Sequence, residues 1–490
     1  MFSSWNKYVL LFFLTYLSIG LFIYKDYGIS WDEPSQRQVG YVNYVYLTGK
    51  DKEVLSNFAD KYYGPVFELP LIIMERVLRV EDPKTIYQMR HLITFGIFYL
   101  GVIFFYFLNT LIFNDKKYGL IACVLLVLSP RIFADSFYNS KDIPFLSFFI
   151  ISTFTLFKLI EKRSWKWVFL HAFATTLLVG IRAIGIIMPL ITLLVLLKEN
   201  FIHHKTFLKK IVVYLFVTML MIVLSWPLLW MNPLNILSVL KNMVNFNYQT
   251  NLPILYMGKY ISPFSVPWHY IPVWIFITVP VTYGVLFVIG LIRTIFEKNV
   301  LNLVLLLLII SPVIGVIILH STLYDGWRHL YFVYPFMVIF MVRGLKSVPR
   351  PLVILTCIEI VTVIIFMWRY HPYQNLYFNI ALNQNMKEVK QNYELDYWGL
   401  SYRQALEFIV KNDSAEKIPV LVANNPGNSN SLMLDQVDRQ RLQYLPDGDL
   451  TNAKYFVSNY RWHIDDYSYG QEVYNFQIGG AKIISVYKLK

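Results

Sequence analysis

The chain has 490 residues, of which 56% are hydrophobic, 17% aromatic and only 15% charged. A soluble protein of this length carries about a quarter charged residues, so the composition excludes an ordinary soluble globular protein and predicts a polytopic membrane protein. The formal net charge of +13 does not indicate nucleic-acid binding, since the basic residues fall in short loops between apolar segments. The two cysteines, Cys123 and Cys357, are far apart in sequence and predict neither a disulfide framework nor a Cys-based metal site.

The first apolar segment, residues 8–24, is followed at once by an acidic turn. No small-residue cleavage site follows the segment, so we interpret it as the first transmembrane helix and not as a signal peptide. The turn, residues 28–34, then lies at a membrane surface, where carboxylates cost free energy and usually have a function. Asp32 and Glu33 are therefore candidate functional residues. The alternative is that they cap a helix beginning at Pro34, because negative charge is favourable at a helix N-terminus.

The first outer loop, residues 25–90, is long and amphipathic. Residues 38–47 and 66–80 mix aromatic, aliphatic and charged side chains at helical spacing, which predicts helices lying in the membrane interface. The sequence Tyr62-Tyr63-Gly64-Pro65 predicts a turn between them.

Further apolar segments predict about 11 membrane spans in all, and basic residues occupy alternate loops between them. Such alternation orients membrane proteins with the basic loops in the cytoplasm. It predicts a cytoplasmic N-terminus, with the Asp32 loop, residues 130–142, 231–270 and 320–329 and the C-terminal tail outside. The predicted spans after the first are 91–113, 118–134, 143–160, 166–181, 183–197, 211–230, 271–292, 300–319, 330–342 and 351–368. The basic loop residues are Lys116, Lys117, Lys162, Arg163, Lys166, Lys198, Lys205, Lys209, Lys210, Arg293, Lys298, Arg343, Lys346 and Arg350.

The composition changes near residue 370, where charges of both signs return. An amphipathic helix is predicted at 402–411 and strands are predicted at 417–423, 453–458 and 482–488. Mixed helix and strand over this length predicts a small α/β domain on the outer face. The predicted division is therefore a membrane domain at 1–369 and an extracytoplasmic domain at 370–490.

Polar clusters at the predicted helix ends all fall on the outer side. A departing phosphate needs cations and a hydroxyl nucleophile needs a carboxylate base, so acids and bases converging from distant helices indicate a shared site. The clusters are Asp32-Glu33, the segment 129–144 with Lys141 and Asp142, Gly180-Ile181-Arg182, the segment 320–329 with Tyr324, Trp327, Arg328 and His329, and His371-Pro372-Tyr373-Gln374.

The order and topology of these clusters resemble the GT-C membrane glycosyltransferases. The chain is similar in particular to bacterial protein O-mannosyltransferases and aminoarabinose transferases, over residues 1–375 and more weakly through 393–399. The resemblance rests on Trp31-Asp32-Glu33, Ser129-Pro130-Arg131, Lys141-Asp142-Ile143-Pro144, Gly180-Ile181-Arg182 and Asp325-Gly326-Trp327-Arg328-His329.

The resemblance implies an inverting transfer of a sugar from a polyprenyl-phosphate donor to an acceptor on the outer face. It implies that Asp32 is the base, with Glu33 beside it, and that Asp142 is a second acid. Arg182 and Arg328, together with Lys141, would hold the donor phosphate. Helix capping by Asp142 and topology anchoring by the two arginines are the structural alternatives. Candidate substrate-binding residues are Trp31, Tyr63, Tyr324, Trp327, His329 and His371, although an aromatic belt at the membrane surface explains most of the rings equally well.

Metal use stays open. Where family members have an acidic dipeptide or Thr-Asp, this chain has Lys141-Asp142, and a lysine can supply the charge of a cation. A divalent metal is therefore the one cofactor left open, and no other is expected. The expected partners are a polyprenyl-linked sugar, membrane lipids and an acceptor that is a glycan, lipid or protein of the cell envelope, with no nucleic acid. The expected location is a bacterial cytoplasmic membrane.

Two other classes compete with an enzyme. A transporter or flippase for a lipid-linked or anionic solute would carry its charges near the bilayer midplane, often in two related halves. Here the charges crowd the outer helix ends and no second half matches the first. A non-enzymatic envelope scaffold does not explain why acids and arginines from several loops converge.

Overall fold

Apolar helices form most of the chain. The computed structural model describes residues 4–202, 207–244, 252–297, 299–382 and 385–490. Lys205 and Lys298 of the basic loops, and residues 245–251 of the predicted outer loop 231–270, lie outside the described residues. The helices of the membrane part are α1 Ser4–Ile23, α2 Glu33–Leu47, α3 Val54–Asn57, α4 Glu68–Val77, α5 Pro83–Phe113, α6 Lys116–Val127, α7 Pro130–Tyr138, α8 Asp142–Lys162, α9 Trp165–Ile181, α10 Ile187–Ile202, α11 Leu208–Ser225, α12 Pro227–Met231, α13 Asn235–Val244, α14 Tyr270–Thr278, α15 Val281–Ile295, α16 Val300–Ile318, α17 Tyr334–Leu345 and α18 Arg350–Arg369.

Each predicted span contains helix, but several are shorter or broken. Among the described residues, 7 helices are long and apolar enough to cross a membrane, or up to 8 if the bent pair α6 and α7 is one span. That pair turns by 74° where Pro130 follows Ser129, because a proline disfavours helix in the residue before it. Pro280 separates α14 from α15 in the same way. The predicted fold class, a multi-pass helical bundle, is confirmed.

The two predicted interfacial helices are present as α2 and α4. Their apolar faces are buried, with Val39 and Val42 on α2 and Leu71 on α4. Arg37 of α2 forms a 2.7 Å salt bridge with Glu75 of α4. The two helices thus pack against each other within the segment that connects α1 to α5.

The C-terminal part is the predicted mixture of helix and strand. A hairpin before α14 consists of β1 Ile254–Tyr256 and β2 Lys259–Ile261. The later elements are α19 Met386–Asn392, α20 Tyr402–Asn412, β3 Ile418–Val422, α21 Gly427–Asn430, α22 Gln436–Arg441, β4 Leu442–Tyr444, β5 Tyr455–Ser458, β6 Gln471–Ile478 and β7 Ala481–Lys488.

The C-terminal sheet has the strand order β4-β3-β5-β7-β6. Strand β3 is parallel to β4 and β5, and β7 is antiparallel to β5 and β6. The buried face of α20, with Leu406 and Ile409, packs with Ile418, Val420 and Val457 of the sheet.

The polar clusters and the basic loops lie at opposite ends of the bundle. Helix α8 begins at Asp142, in a polar cluster, and ends at Lys162, in a basic loop. At the basic end, the Lys116 ammonium donates to the Asn6 side chain over 2.8 Å, and Lys346 lies 4.7 Å from the centre of the Tyr118 ring. The candidate site residues, such as Asp32, Asp142 and Arg328, thus lie together at the end of the bundle opposite the basic loops.

Candidate active site

A fully buried arginine forms the centre of the site. Arg328 Nη1 donates to Asp32 Oδ2 over 2.9 Å and to Asp142 Oδ2 over 3.1 Å, and its Nη2 donates to Asp325 Oδ2 over 3.1 Å. Trp398 covers the guanidinium, with its ring centre 4.6 Å away. Burial alone would lower the pKa of Arg328, but the three carboxylates raise it well above its ordinary value. The arginine is therefore a permanent cation within an anionic shell.

A tight turn places Asp325 and Arg328 on one side. Asp325 and Gly326 both have left-handed backbone, with φ of 56° and 71°. Aspartate tolerates this conformation because its short polar side chain bonds locally, and glycine has no Cβ to clash. The turn leads into a 3₁₀ segment, Arg328–Val333, which precedes α17. The Asp325-Gly326 turn thus brings the side chains of Asp325 and Arg328 together in a buried position.

The start of α8 supplies the second carboxylate. Asn139 Oδ1 accepts the backbone N–H of Asp142 over 2.8 Å, and Asn139 Nδ2 donates to Asp142 Oδ2 over 3.1 Å. Negative charge is favourable at this position, because the helix N-terminus presents unpaired N–H groups. Arg182, at the end of α9, forms a salt bridge with the other oxygen of Asp142. Asp142 therefore both begins a helix and joins two arginines.

Asp32 lies in the turn between α1 and α2, which the C-terminal part holds in place. The Trp31 N–H donates to the Trp398 carbonyl over 3.0 Å, and the Asn430 side chain bonds both the N–H and the C=O of Ile29. Lys141 Nζ is 3.3 Å from Asp32 Oδ2. These hydrogen bonds from the C-terminal part fix the backbone of the turn and so position the Asp32 carboxylate.

The Asp32 carboxylate is partly open and strongly stabilised as an anion. Its side chain keeps 16% of its surface exposed. Burial would raise the pKa of Asp32, but Arg328 and Lys141 outweigh burial and lower it to about 2. Asp32 is therefore ionised at neutral pH.

An apolar cavity opens beside these charges. Its volume is about 360 Å³, and the side chains of Tyr63, Lys141, Arg182, Tyr324 and His329 form the polar end of its lining. The Lys141 ammonium lies 4.9 Å from the centre of the Tyr63 ring, and the Tyr324 and His329 rings meet edge to face with centres 4.6 Å apart. The rest of the lining is mostly aliphatic, including Ile184, Ile187, Val316, Leu319 and Leu323. Such a lining suits a ligand with an anionic head and a hydrocarbon tail.

His329 is neutral at this polar end. Burial and the positive charge of Arg328 lower the pKa of His329 well below its ordinary value. Its ring therefore offers hydrogen bonding and contact surface to a bound group, while the positive charge comes from the lysine and the arginines.

The structure brings most predicted site residues together but leaves three elsewhere. Glu33 is buried against Ser30, whose N–H donates to it over 2.8 Å, and against His91 Nε2 at 2.9 Å. Trp327 Nε1 donates to Thr278 Oγ1 over 2.9 Å. His371 Nε2 lies 2.8 Å from Asp26 Oδ2, and its Nδ1 lies 2.9 Å from Gln374 Nε2. These three side chains support the surrounding chain segments, and none has a described bond to the Arg328 cluster.

Two residues of the C-terminal part complete the site and were not predicted. Trp398 covers Arg328 and donates from Nε1 to Asp135 Oδ1 over 3.1 Å. Arg461 Nη2 donates to Asp325 Oδ1 over 2.7 Å. The segment 393–399 carries a weak family resemblance that points to Trp398, whereas nothing in the sequence around Arg461 signals its role.

The described residues contain no group of three or more His, Cys, Asp or Glu side chains arranged to hold a metal ion. The charged groups at the polar end of the cavity are Lys141 and Arg182, which pair with the adjacent carboxylates of Asp32 and Asp142.

Comparisons with known proteins agree with this architecture. Residues 91–230 match the family model described as dolichyl-phosphate-mannose-protein mannosyltransferase. No match was found among curated proteins. The fold is similar to the crystal structure of apo ArnT from Cupriavidus metallidurans, with a TM-score of 0.56 and 10% identity over 99% of this chain and 98% of that one. A second structure of ArnT, bound to undecaprenyl phosphate, gives a TM-score of 0.54 and 10% identity over 98% of each chain.

At such identity the likeness concerns the fold. It accounts for the whole length of the chain, including the interfacial helices and the C-terminal sheet. The chain thus has the predicted multi-pass helical fold with a small C-terminal sheet, and this fold is similar to that of ArnT.

Proposed function

We propose that the protein is an inverting glycosyltransferase that moves a sugar from a polyprenyl-phosphate donor to an acceptor hydroxyl. The observation that carries this proposal is an ion-pair cluster beside an apolar cavity whose lining includes Lys141 and Arg182. Lys141 pairs with the partly open carboxylate of Asp32, and Arg328 joins Asp32 to Asp142, the partner of Arg182. A lipid phosphate needs cations for its head and an aliphatic groove for its tail. The binding of undecaprenyl phosphate by ArnT, which has a similar fold, supports this donor class.

Donor binding would also activate the base. Without donor, Lys141 and Arg328 bond to Asp32 and lower its pKa to about 2, which makes it a weak base. A donor phosphate would compete for these cations, and the pKa of Asp32 would rise toward the value that suits proton transfer. Asp32 would then accept the proton of the acceptor hydroxyl as its oxygen attacks the anomeric carbon. The cations would stabilise the departing polyprenyl phosphate.

The charges support an enzyme over a transporter. The ion pairs of Asp32, Asp142, Arg182 and Arg328 lie where α8 begins and α9 ends, away from the middle of the spans. A transporter would carry such charges near the bilayer midplane on broken helices. We further propose that the site faces the outside of a bacterial cytoplasmic membrane, with the acceptor being a glycan, lipid or protein of the envelope.

The base is tested by Asp32→Asn. Asparagine preserves the shape but accepts no proton, so turnover is expected to fall by about 10²–10⁴-fold, the usual contribution of a positioned base. The measurement is loss of radiolabelled sugar from an undecaprenyl-phosphate donor in membranes that contain the natural acceptor. Binding of the same donor is expected to persist, since the cations remain.

Glu81→Gln is the matched control. Glu81 is an exposed carboxylate of the same outer loop, and its replacement is expected to leave turnover near the wild-type rate. Wild-type turnover in Asp32→Asn would exclude Asp32 as the base.

A further inference from the structure

One arginine of the C-terminal part reaches into the membrane part. Arg461 follows β5 and is buried, with Nη1 donating to the Tyr397 carbonyl and Nη2 to Asp325 Oδ1, each over 2.7 Å. Its guanidinium carbon lies 4.8 Å from the ring centre of Trp31 and 4.7 Å from that of Trp462. The side chain thus touches both the residue before Asp32 and a carboxylate partner of Arg328.

Asp325 is shared between two arginines. Its Oδ1 accepts from Arg461 and its Oδ2 accepts from Arg328. A carboxylate with both oxygens available binds one guanidinium through two parallel bonds, which is the stronger arrangement. Arg461 occupies one oxygen and so disfavours the end-on arrangement, in which Asp325 would bind both Nη1 and Nη2 of Arg328. Arg328 then keeps its Nη1 for Asp32 and Asp142.

We propose that Arg461 is a positioning residue which, through Asp325, holds Arg328 on Asp32, so that the C-terminal domain sets the geometry of the catalytic pair. This inference rests on the proposed function. The simpler alternative is that Arg461 only anchors the C-terminal part to the membrane part. The two differ in what Asp325 does when Arg461 is removed, since an anchor has no need of competition for Asp325.

Glu394 is a second carboxylate near Arg461. It lies 3.8 Å from Arg461 Nε and is buried. Burial and the charge of Asp325 raise the pKa of Glu394, while Arg461 opposes the rise. Asp325, at 2.7 Å, is the closer carboxylate partner of Arg461.

The charged surroundings of Asp32 decide how its titration responds. Arg328 and Lys141 lower its pKa, and Asp142 and Asp60 act against them. Tyr63, Tyr324 and His329 also face it and are neutral at pH 7. Withdrawing Arg328 leaves Lys141 as its single bonded cation among the described residues, so the pKa of Asp32 is expected to rise.

The experiment compares Arg461→Gln, Asp325→Asn and the double variant by kcat/KM for a radiolabelled undecaprenyl-phosphate sugar. Arg461→Gln is expected to lose about tenfold or more in kcat/KM, because Arg328, drawn onto Asp325, no longer meets the donor phosphate beside Asp32. The acidic limb of its pH profile for kcat/KM is expected to move to higher pH by about 1–3 units. The double variant is expected to regain most of the loss, because the competing carboxylate is gone. Arg461→Lys, which keeps a cation beside Asp325, is expected to retain activity.

Arg441→Gln is the matched control. Arg441 also bonds backbone carbonyls of the C-terminal part, at Val410 and Ala415, but has no described bond to the site. The Arg441→Gln variant is expected to keep the acidic limb of the wild-type pH profile for kcat/KM, even if its melting temperature falls.

The outcomes separate the two levels of inference. A double variant no more active than Arg461→Gln, or a fully active Arg461→Gln, overturns the positioning role while wild-type turnover stands. If Arg461→Gln does not fold, the Arg461→Lys variant provides the test. A folded Arg461→Lys protein that is as inactive as Asp32→Asn also overturns the positioning role. Absence of turnover in the wild-type protein with natural membranes instead contradicts the proposed function.

Discussion

Arg182 joins the buried carboxylate of Asp142 to the cavity. It forms a salt bridge with Asp142, lies on the cavity wall and keeps 17% of its side chain exposed. Hydrogen bonds to charged groups contribute about 1.5–3 kcal/mol, so Arg182→Gln is expected to weaken binding of undecaprenyl phosphate by about tenfold to a hundredfold. Isothermal titration or ligand-dependent thermal shift in detergent measures this.

Arg343→Gln is the control for Arg182. Arg343 is a half-buried arginine of α17 at the basic end, where it bonds Thr294 and Asn302. Its variant is expected to bind the lipid phosphate with unchanged affinity. Equal affinity in Arg182→Gln and the wild type would remove Arg182 from the phosphate site.

Residues at helix ends could be predicted because an ionisable group beside lipid is costly without a partner. That argument identifies Asp32, Lys141, Asp142, Arg182 and Arg328, which the structure joins by ion pairs. It does not separate Asp32 from Glu33, since both stand in the same turn. Only the fold shows that Glu33 turns inward to Ser30 and His91.

At the scale of elements, the outer loop crosses the end of α9 with no space between the backbones. A Cβ on Gly64 would lie 2.0 Å from the Gly180 carbonyl oxygen, and the N–H of Val66 donates to the same carbonyl over 3.2 Å. Gly64→Ala is therefore expected to destabilise the protein by about 1–3 kcal/mol and to displace Tyr63 from the cavity. Thermal unfolding in detergent and donor affinity are the measurements.

Gly96→Ala is the matched control for this crossing. Gly96 lies within α5, where an added Cβ meets nothing within 4 Å, and alanine is the better helix former. This variant is expected to be as stable as the wild type or slightly more stable. An unaltered melting temperature in Gly64→Ala would show that the backbones at this crossing can move apart to accept a methyl group.

Element types follow from the sequence better than element breaks do. The apolar periodicity predicts helix in 118–134 and 271–292, but Pro130 and Pro280 divide each into two helices. In the C-terminal part, the predicted strands match β3, β5 and β7, whereas β4 and β6 are missed. Strand β6 lies at the sheet edge and only its last residue, Ile478, is buried, so its sequence lacks a clear apolar alternation.

At the scale of the whole molecule, long-range contacts assemble the site. Arg461 and Trp398 reach Asp325 and Arg328 from sequence positions that no local pattern connects. Asn430 binds the turn at Ile29, which lies 401 residues earlier in the sequence. Periodicity and helix-end arguments use neighbouring residues, so they predict the membrane half of the site and miss the part that the C-terminal domain contributes.

The two ends of the bundle predict a membrane orientation that can be tested directly. Basic loops favour the cytoplasmic side, and α8 runs from the polar site to such a loop. Cysteines are placed at Val437 in α22 and at Lys166 in the first turn of α9, at the basic end, both exposed, in a Cys357→Ser background. In intact cells, a membrane-impermeant maleimide is expected to label Val437→Cys and to label Lys166→Cys only after the membrane is opened. The reverse pattern would place the charged cluster on the cytoplasmic side, where an outer-face acceptor cannot reach it.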